Sequence, residues 1–180
     1  MLRGVNLGPH RRIRMEPLRA VYESVGLTDV RTLLQSGNIV FQSKARDLSR
    51  LSARLQDAFE AEFGFRSDVF LRSADDLRKV VAGNPFEGRA GVEPARLAVT
   101  FLASAPDDAA RGRLAAITGV PEELHAGERE LYIYYCNGMA RPALTPAMLD
   151  KALLKMSTTT RNWNTVTKMV AMAGELESSA

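Results

Sequence analysis

The spacing of apolar side chains predicts the helices and strands of the first half of the chain. Leu18, Val21 and Tyr22 recur at the interval of one helical face, and Gly26 is placed to end that helix. A longer pattern of the same period predicts a second helix over residues 47–64. Short apolar runs predict strands over residues 1–7, 29–34, 39–41 and 68–72. The order β-α-β-β-α-β is that of a ferredoxin-like subdomain, with antiparallel strands and helices packed on one face.

The second half of the chain repeats this order less completely. Apolar runs predict strands over residues 97–102, 123–125 and 131–135, and helices over residues 107–117, 146–155 and 162–173. This order is β-α-β-β-α, with a helix in the place of the last strand. The pattern therefore predicts a related α+β half with two C-terminal helices.

A boundary between the two halves is expected after a short predicted helix over residues 75–82. Asn84-Pro85 breaks that helix, and a stretch rich in glycine and proline follows over residues 88–94. We therefore expect an α+β protein of two subdomains. They are a ferredoxin-like one over residues 1–83, a linker over 84–95, and a second α+β subdomain over 96–180.

Length and composition are typical of an ordinary globular protein. Of the 180 residues, 46% are apolar and 25% are charged, so a core forms without a disulfide or a metal. No apolar run reaches the length of about 20 residues that a membrane helix needs, and no signal-peptide pattern is present. The single cysteine, Cys136, excludes an internal disulfide and is typical of a reducing compartment. We expect a cytoplasmic protein with no membrane partner.

Positive charge is concentrated near the two ends of the chain. The first 15 residues carry four arginines and no acid, and residues 131–174 carry five basic side chains against one acid. The other segments are net negative, so the formal charge of the chain is only +3. Two interpretations stay open: the basic segments form one anion-attracting surface if the fold brings them together, and separate solvated faces otherwise.

Three segments at separate places in the chain carry a recognisable pattern. They are Leu2-Arg3-Gly4-Val5-Asn6-Leu7-Gly8, Gln35-Ser36-Gly37-Asn38-Ile39-Val40-Phe41 and Thr160-Arg161-Asn162-Trp163-Asn164-Thr165-Val166-Thr167-Lys168. Three intervening segments also match, Asp29-Val30-Arg31-Thr32, Asn84-Pro85-Phe86 and Glu130-Leu131-Tyr132. In this order and spacing the chain resembles the bacterial domain-of-unknown-function 1697 family. The resemblance covers nearly the whole chain and implies two α+β subdomains with ferredoxin-like halves. It implies no activity, because the family has none assigned.

The chain departs from the family's pattern in two places. Members begin with an additional apolar stretch ahead of the Leu-Arg-Gly segment, so we expect the native start to lie upstream of Met1 or the chain to be truncated. The first strand of a ferredoxin-like sheet is central, and losing half of it exposes ladder partners on both sides. Relatives also carry a Ser-Lys pair between the equivalents of Arg141 and Leu144. If that lysine holds a ligand, this chain keeps only Arg141.

Polar side chains of the family-like segments are the candidate ligand-binding residues. Arg161 offers a planar fork to a phosphate or carboxylate, and the amides at the start of the helix after Asn162 favour anions. An ion pair between Arg161 and an acid such as Asp150 is the alternative. The full candidate set is Arg3, Asn6, His10, Gln35, Asn38, Arg161, Asn164 and Lys168.

Simpler structural roles compete with ligand binding at several of these positions. The segment 35–38 is a hairpin turn, and a positive φ at Gly37 or Asn38 accounts for it. His10 lies beside Arg11 and Arg12, where it is equally a solvated loop residue. The chain has two histidines and one cysteine, and it shows neither a zinc motif nor a nucleophile elbow. We predict no metal and no cofactor, and assign no catalytic residue.

Three hypotheses for function follow. The first is binding of a small anionic ligand, phosphate-like or nucleotide-like, in a cleft between the subdomains. The second is an enzyme, such as a transferase, that acts on a phosphorylated substrate by positioning and electrostatics. The third is nucleic-acid binding, which the basic charge suggests but which lacks the basic-Gly-aromatic motif of an RNA-recognition sheet. A scaffold or oligomerisation module is a further alternative. We favour the first hypothesis and leave the oligomeric state open.

Overall fold

A computed structural model describes residues 1–6, 12–33 and 37–179 of the chain. In these ranges the protein is α+β, with two antiparallel sheets and six α-helices. The chain comprises two compact units, one formed by Met1–Leu77 with Lys168–Ala180 and the other by Arg78–Thr167. The division predicted from the sequence, with a linker over 84–95, stays a prediction.

The first unit is built on a two-stranded sheet and helices. Its elements are α1 (Met15–Ser24), β1 (Thr28–Leu33), β2 (Asn38–Gln42) and α2 (Leu48–Phe63), the start of α3 (Ala74–Ala82) and the later part of α6 (Trp163–Ser178). Strands β1 and β2 pair antiparallel, with Thr32 opposite Ile39. Ile39 belongs to a buried cluster with apolar residues of α1 and α2. Residues of α6 contact the same sheet, because Gln42 Nε2 donates to the Leu176 carbonyl at 2.9 Å.

Local signals identify helices α1 and α2 of this unit. Three apolar residues predicted to share one face of α1, Leu18, Val21 and Tyr22, are buried. Helix α2 begins after Asp47, whose side chain accepts hydrogen bonds from the Ser49 and Arg50 amides, and ends at Gly64 with φ 72°. The predicted strands over residues 1–7 and 68–72 are wrong as full strands. Among the described residues they reduce to one bridge between Leu2 and Val69.

The second unit contains a four-stranded antiparallel sheet in the order β4-β5-β3-β6. Its elements are the end of α3, β3 (Leu97–Leu102), α4 (Asp108–Ala115), β4 (Glu123–Ala126), β5 (Glu130–Tyr134), α5 (Pro146–Ala152), β6 (Thr158–Asn162) and the start of α6. One face of the sheet packs on α4 and α5 through a buried cluster that includes Ala98, Ile133, Leu114 and Leu153.

Strand β6 corrects the predicted order of the second half. The sequence indicated a helix directly after α5, but Thr158–Asn162 first pairs antiparallel with β3, with Thr160 opposite Thr100. Helix α6 starts only at Trp163. The strand escaped prediction because three threonines, an arginine and an asparagine show no apolar alternation, although threonine is common in strands.

One hydroxyl in the first unit is buried without a partner among the described residues. Tyr22 Oη has no hydrogen-bonding group within reach, and the residue is 1% exposed. The Tyr22 ring packs edge-on against Phe41, with the centroids 5.5 Å apart. Burial raises the pKa of Tyr22 well above its usual range, so the hydroxyl stays neutral.

We expect Tyr22→Phe to raise the free energy of unfolding by about 1 kcal/mol, since it removes a buried polar group that makes no hydrogen bond. The measurement is urea denaturation. Tyr132→Phe is the matched control, because Tyr132 Oη donates to the Val80 carbonyl at 2.8 Å. That substitution is expected to lower stability by about 1 kcal/mol. Destabilisation by Tyr22→Phe would contradict the assignment.

Candidate functional site

Two family-like segments meet in the first unit. The Leu2 amide donates to the Gly37 carbonyl at 2.8 Å. Gly37 has φ 70°, and a Cβ built there would lie 2.6 Å from Val5 Cγ2 and 2.9 Å from Leu2 Cβ. A glycine is therefore required at this position, both by the backbone conformation and by the close approach of the N-terminal segment.

Arg3 lies at the surface beside an acid. Its Nη1 is 3.4 Å from Asp68 Oδ2, and both side chains are about half exposed, at 49% and 43%. The Arg3 carbonyl accepts a hydrogen bond from Ser67 Oγ at 2.8 Å. An exposed pair of this kind contributes little to stability. With about half of its side chain exposed, Arg3 is accessible to solvent.

The Asn6 side chain bonds to the backbone of Ile13. Its Nδ2 donates to the Ile13 carbonyl at 3.1 Å, and its Oδ1 accepts from the Ile13 amide at 2.7 Å. The residue has φ 56°. One side chain thus satisfies both backbone groups of Ile13, which is a structural role the sequence did not indicate.

The remaining candidates of the first half differ in what the structure describes. Asn38 is fully buried at the start of β2, opposite Leu33. His10 and Gln35 lie outside the described residues. Asn38 is 0% exposed, so its side chain can contact a ligand only if the residues that cover it move.

Arg161 is the candidate with the most distinctive environment. It lies in β6 opposite Val99 of β3, so strand pairing fixes its backbone. Its Nη1 donates to Thr159 Oγ1 at 2.9 Å and to the Thr160 carbonyl at 2.7 Å. Burial lowers the pKa of Arg161 to about 10. The side chain is a partly buried cation that has lost part of its hydration.

The start of α6 is separated from Arg161 by Asn162 alone. Asn162 Oδ1 accepts from the Thr165 amide at 2.8 Å, which confirms Asn162 as the N-terminal cap. Trp163 is buried, whereas Asn164 and Lys168 are exposed on the helix. Arg161 thus lies two residues before Trp163, the first residue of the helix, near the end of the helix macrodipole that favours anions.

A buried carboxylate that sequence reasoning missed organises a loop of the second unit. Glu122 is 7% exposed. Its Oε1 accepts from the Ala143 amide at 2.8 Å, and its Oε2 from the Leu144 amide at 3.0 Å. Glu122 thereby fixes the segment that follows Arg141. Nothing in the sequence links Glu122 to residues more than twenty positions later, so no local signal could have revealed it.

The Asn84-Pro85-Phe86 segment contributes Phe86 to a cluster with Arg89, Glu123 and Tyr134 in the same unit. Asn84 Oδ1 accepts from the Phe86 amide at 3.0 Å and forms a local turn. The Arg89 guanidinium lies over the rings of Phe86 and Tyr134 and makes two hydrogen bonds to Glu123. The hydrogen bond from Arg89 holds the pKa of Glu123 below its usual value. The arrangement is an ion pair on aromatic rings, which stabilises the surface.

The first unit also contains a pocket of about 500 Å³. Its lining is mostly apolar, from β2, the start of α2, residues 70–74 and α6, with Arg72, Gln42 and Glu177 among the polar members. None of the candidate residues that the structure describes lines this pocket. Those candidates fall into two groups, Arg3, Asn6, Asn38 and Lys168 in the first unit and Arg161 and Asn164 in the second.

The family assignment follows from comparison with known proteins. A family model described as protein of unknown function (DUF1697) matches residues 1–132. The chain belongs to this family. The match confirms the family that the segments indicated, and it includes the first two of them, whereas the segment over residues 160–168 lies beyond the matched range. A search of curated proteins finds no match.

One solved structure shares the fold of this DUF1697 protein. A conserved bacterial protein, SP0830 from Streptococcus pneumoniae, is 22% identical, with a TM-score of 0.71 over 96% of each chain. At this identity the likeness supports the α+β fold alone. Within the described ranges, no helix has the length and apolar character to cross a membrane, and no three His, Cys, Asp or Glu side chains cluster as metal ligands.

Proposed function

We propose that this DUF1697 protein binds a small anionic ligand through Arg161. The observation that carries the proposal is the partly buried guanidinium at the junction of β6 and α6, whose pKa burial lowers to about 10. A cation that has lost hydration is stabilised by a neighbouring anion more strongly than an exposed one, because the local dielectric constant is lower.

The surroundings of Arg161 suit a phosphate or a carboxylate. Thr159 Oγ1 and the Thr160 carbonyl hold Nη1 and so orient the planar fork that binds such groups. Asn164 is exposed in the first turn of α6 and supplies a neutral donor. The ligand role of the other candidates stays a prediction; they are Arg3, Asn6, His10, Gln35, Asn38 and Lys168.

The topology of the second unit supports access to Arg161. Its element order is β-α-β-β-α-β and its strand order is β4-β5-β3-β6, which is the arrangement proposed for a ferredoxin-like half. Strand β6 is at the edge of this sheet, with β3 as its neighbour. A residue on an edge strand can be approached by a ligand without displacing a central strand.

The test is calorimetric titration of the protein with inorganic phosphate, pyrophosphate and adenosine monophosphate. Arg161→Ala is expected to weaken binding about 10-fold to 100-fold, the effect of losing a charge-assisted hydrogen bond worth about 1.5–3 kcal/mol. Arg161→Lys is expected to weaken binding less, because the charge remains while the fork is lost. Lys151→Ala, an exposed cation of the same unit, is the control and should bind like the unmodified protein. Equal affinity in all four proteins would exclude Arg161 as the anchor.

A further inference from the structure

Helix α2 and the loop before it carry their charges in two separate blocks. Residues 43–56 contain four basic side chains and one acid, whereas residues 57–63 contain three acids and no base. The amino-terminal end of a helix macrodipole favours acids and the carboxy-terminal end favours bases, so this order is the reverse of the one that stabilises a helix. Helix stability therefore does not account for the basic side chains. They form the α2 basic block, which is Lys44, Arg46, Arg50 and Arg54.

The side chains of the α2 basic block face solvent. All four are exposed, and none forms an ion pair within the part of the chain that the structure describes. Arg54 donates from Nη2 to the Val25 carbonyl at 3.0 Å. The one acid of the segment, Asp47, accepts hydrogen bonds from the Ser49 and Arg50 amides. Because Asp47 occupies these amides, an external anion would contact the basic side chains rather than the end of the helix.

The helix holds part of the α2 basic block in a fixed line. Arg50 and Arg54 are one turn apart, which separates them by about 6 Å along the axis at about 1.5 Å per residue. The opposite face of the helix is fixed in the core by three buried side chains, Leu51, Leu55 and Phe59. A partner that contacts the whole block must therefore carry several negative charges in a row, unlike the small anion proposed for Arg161.

Two classes of partner fit this surface poorly. An amphipathic helix binds a membrane by inserting its apolar face, but the apolar face of α2 is already in the core. A protein interface derives much of its energy from buried aromatic and apolar anchors, and of the large apolar side chains in α2 only Leu48 is exposed. Guanidinium groups bind phosphate, and a nucleic-acid duplex presents one phosphate about every 3.4 Å along each strand.

We propose that the α2 basic block binds the phosphodiester backbone of a nucleic acid. Residues 43–56 contain no aromatic side chain that could stack on a base, so we expect affinity from charge and no sequence preference. Each phosphate contact releases condensed counterions. Four contacts predict a slope of log affinity against log salt concentration of about −2.8 for a single strand and about −3.6 for a duplex. The site is separate from Arg161, which lies in the other unit.

The probes are a short single-stranded RNA of mixed sequence and a DNA duplex of the same length. Binding is measured by fluorescence anisotropy of the labelled probe between about 50 and 200 mM sodium chloride. Arg46→Ser combined with Arg50→Ser should weaken RNA binding at the lowest salt at least about 10-fold, and should make the slope shallower by about 1.4. Absence of binding by the unmodified protein, or an unchanged slope in the double variant, overturns the proposal.

Lys151→Ser combined with Lys155→Ser is the matched control, because it removes the same charge from exposed side chains of the other unit. This variant should keep the slope of the unmodified protein, and equal losses in the two double variants would show that net charge alone drives binding. The variant of the α2 basic block should melt at the same or a higher temperature, since it removes a cation from the positive end of the macrodipole. The slope of the unmodified protein does not depend on either variant.

Two further probes separate nucleic acid from other polyanions. They are vesicles of phosphatidylserine and phosphatidylcholine in equal parts, and poly-glutamate. Both should bind at least about 10-fold more weakly than the RNA, because neither presents phosphodiester groups along a chain. Binding of either probe as tightly as the RNA would assign the block to a membrane or an acidic protein instead. Arg161→Ala should leave RNA binding unchanged, so failure here is distinguishable from failure of the small-anion site.

Discussion

Gly37→Ala is expected to lower the free energy of unfolding by about 3 kcal/mol. The left-handed conformation, φ 70°, costs a residue with a Cβ about 1–2 kcal/mol. The added methyl also lies 2.6 Å from Val5 Cγ2 and 2.9 Å from Leu2 Cβ, and such overpacking costs about 1–3 kcal/mol. Since the contacting atoms belong to the segment that pairs with Gly37, relief of the clash breaks that pairing.

Gly64→Ala separates the two contributions to this loss. Gly64 has nearly the same backbone conformation, φ 72°, but nothing lies within 4 Å of a Cβ built there. Its substitution should cost only the conformational part, about 1 kcal/mol. Urea denaturation of both variants measures the difference. Equal losses in the two proteins would show that the close approach of Leu2 and Val5 contributes nothing.

Elements whose signals are local were predictable from the sequence. Helix α2 is confirmed at both ends because its cap, Asp47, and its terminating Gly64 act within a few residues of the helix. Strand β3 is confirmed over Leu97–Leu102, where every residue is buried and the apolar run is continuous. In such places the residue types that favour an element are the same ones that the tertiary structure buries.

Strand β6 and the N-terminal segment were not predictable in the same way. Strand β6 depends on pairing with β3 more than fifty residues earlier, including contact of Thr100 Oγ1 with Thr160 Oγ1 at 2.8 Å. The apolar residues near Met1 predicted a longer strand, but Gly4 and Asn6 have positive φ values of 67° and 56°. The periodicity of apolar residues reports neither the pairing of distant strands nor the backbone conformation of an individual residue.

The candidate site shows the same division between residue type and environment. The sequence identified Arg161 as a bidentate donor, but its partial burial follows from the strand that periodicity missed. It also identified Asn6 as a polar loop residue, whereas the bonds of Asn6 to both backbone groups of Ile13 depend on how the chain returns seven residues later. The chemical groups of the candidate site could be predicted from the residue types, but the exposure and bonding of those groups could not.

The loop after Arg141 depends on Glu122, and Glu122→Ala is expected to lower the free energy of unfolding by about 3 kcal/mol. The substitution removes the acceptors of the Ala143 and Leu144 amides, at 2.8 Å and 3.0 Å. Leu144 is 2% exposed and belongs to the core beside α5, so water does not replace the carboxylate without opening that core. An unpaired buried amide costs about 1–3 kcal/mol.

Glu122→Gln tests whether the charge or the shape of this side chain is required. The amide keeps one acceptor but directs its NH₂ group at a backbone N–H, so we expect a loss of about 2 kcal/mol. Burial, and to a smaller extent the charge of Glu122, raise the pKa of Tyr135. In this variant the Glu122 charge is gone, so an ultraviolet titration should give a lower pKa for Tyr135. Glu128→Ala, an exposed glutamate in the same unit, is the control and should change stability by less than about 0.5 kcal/mol. If Glu122→Ala were as stable as that control, the loop would hold its conformation through its own backbone, and Arg141 would be positioned without the carboxylate.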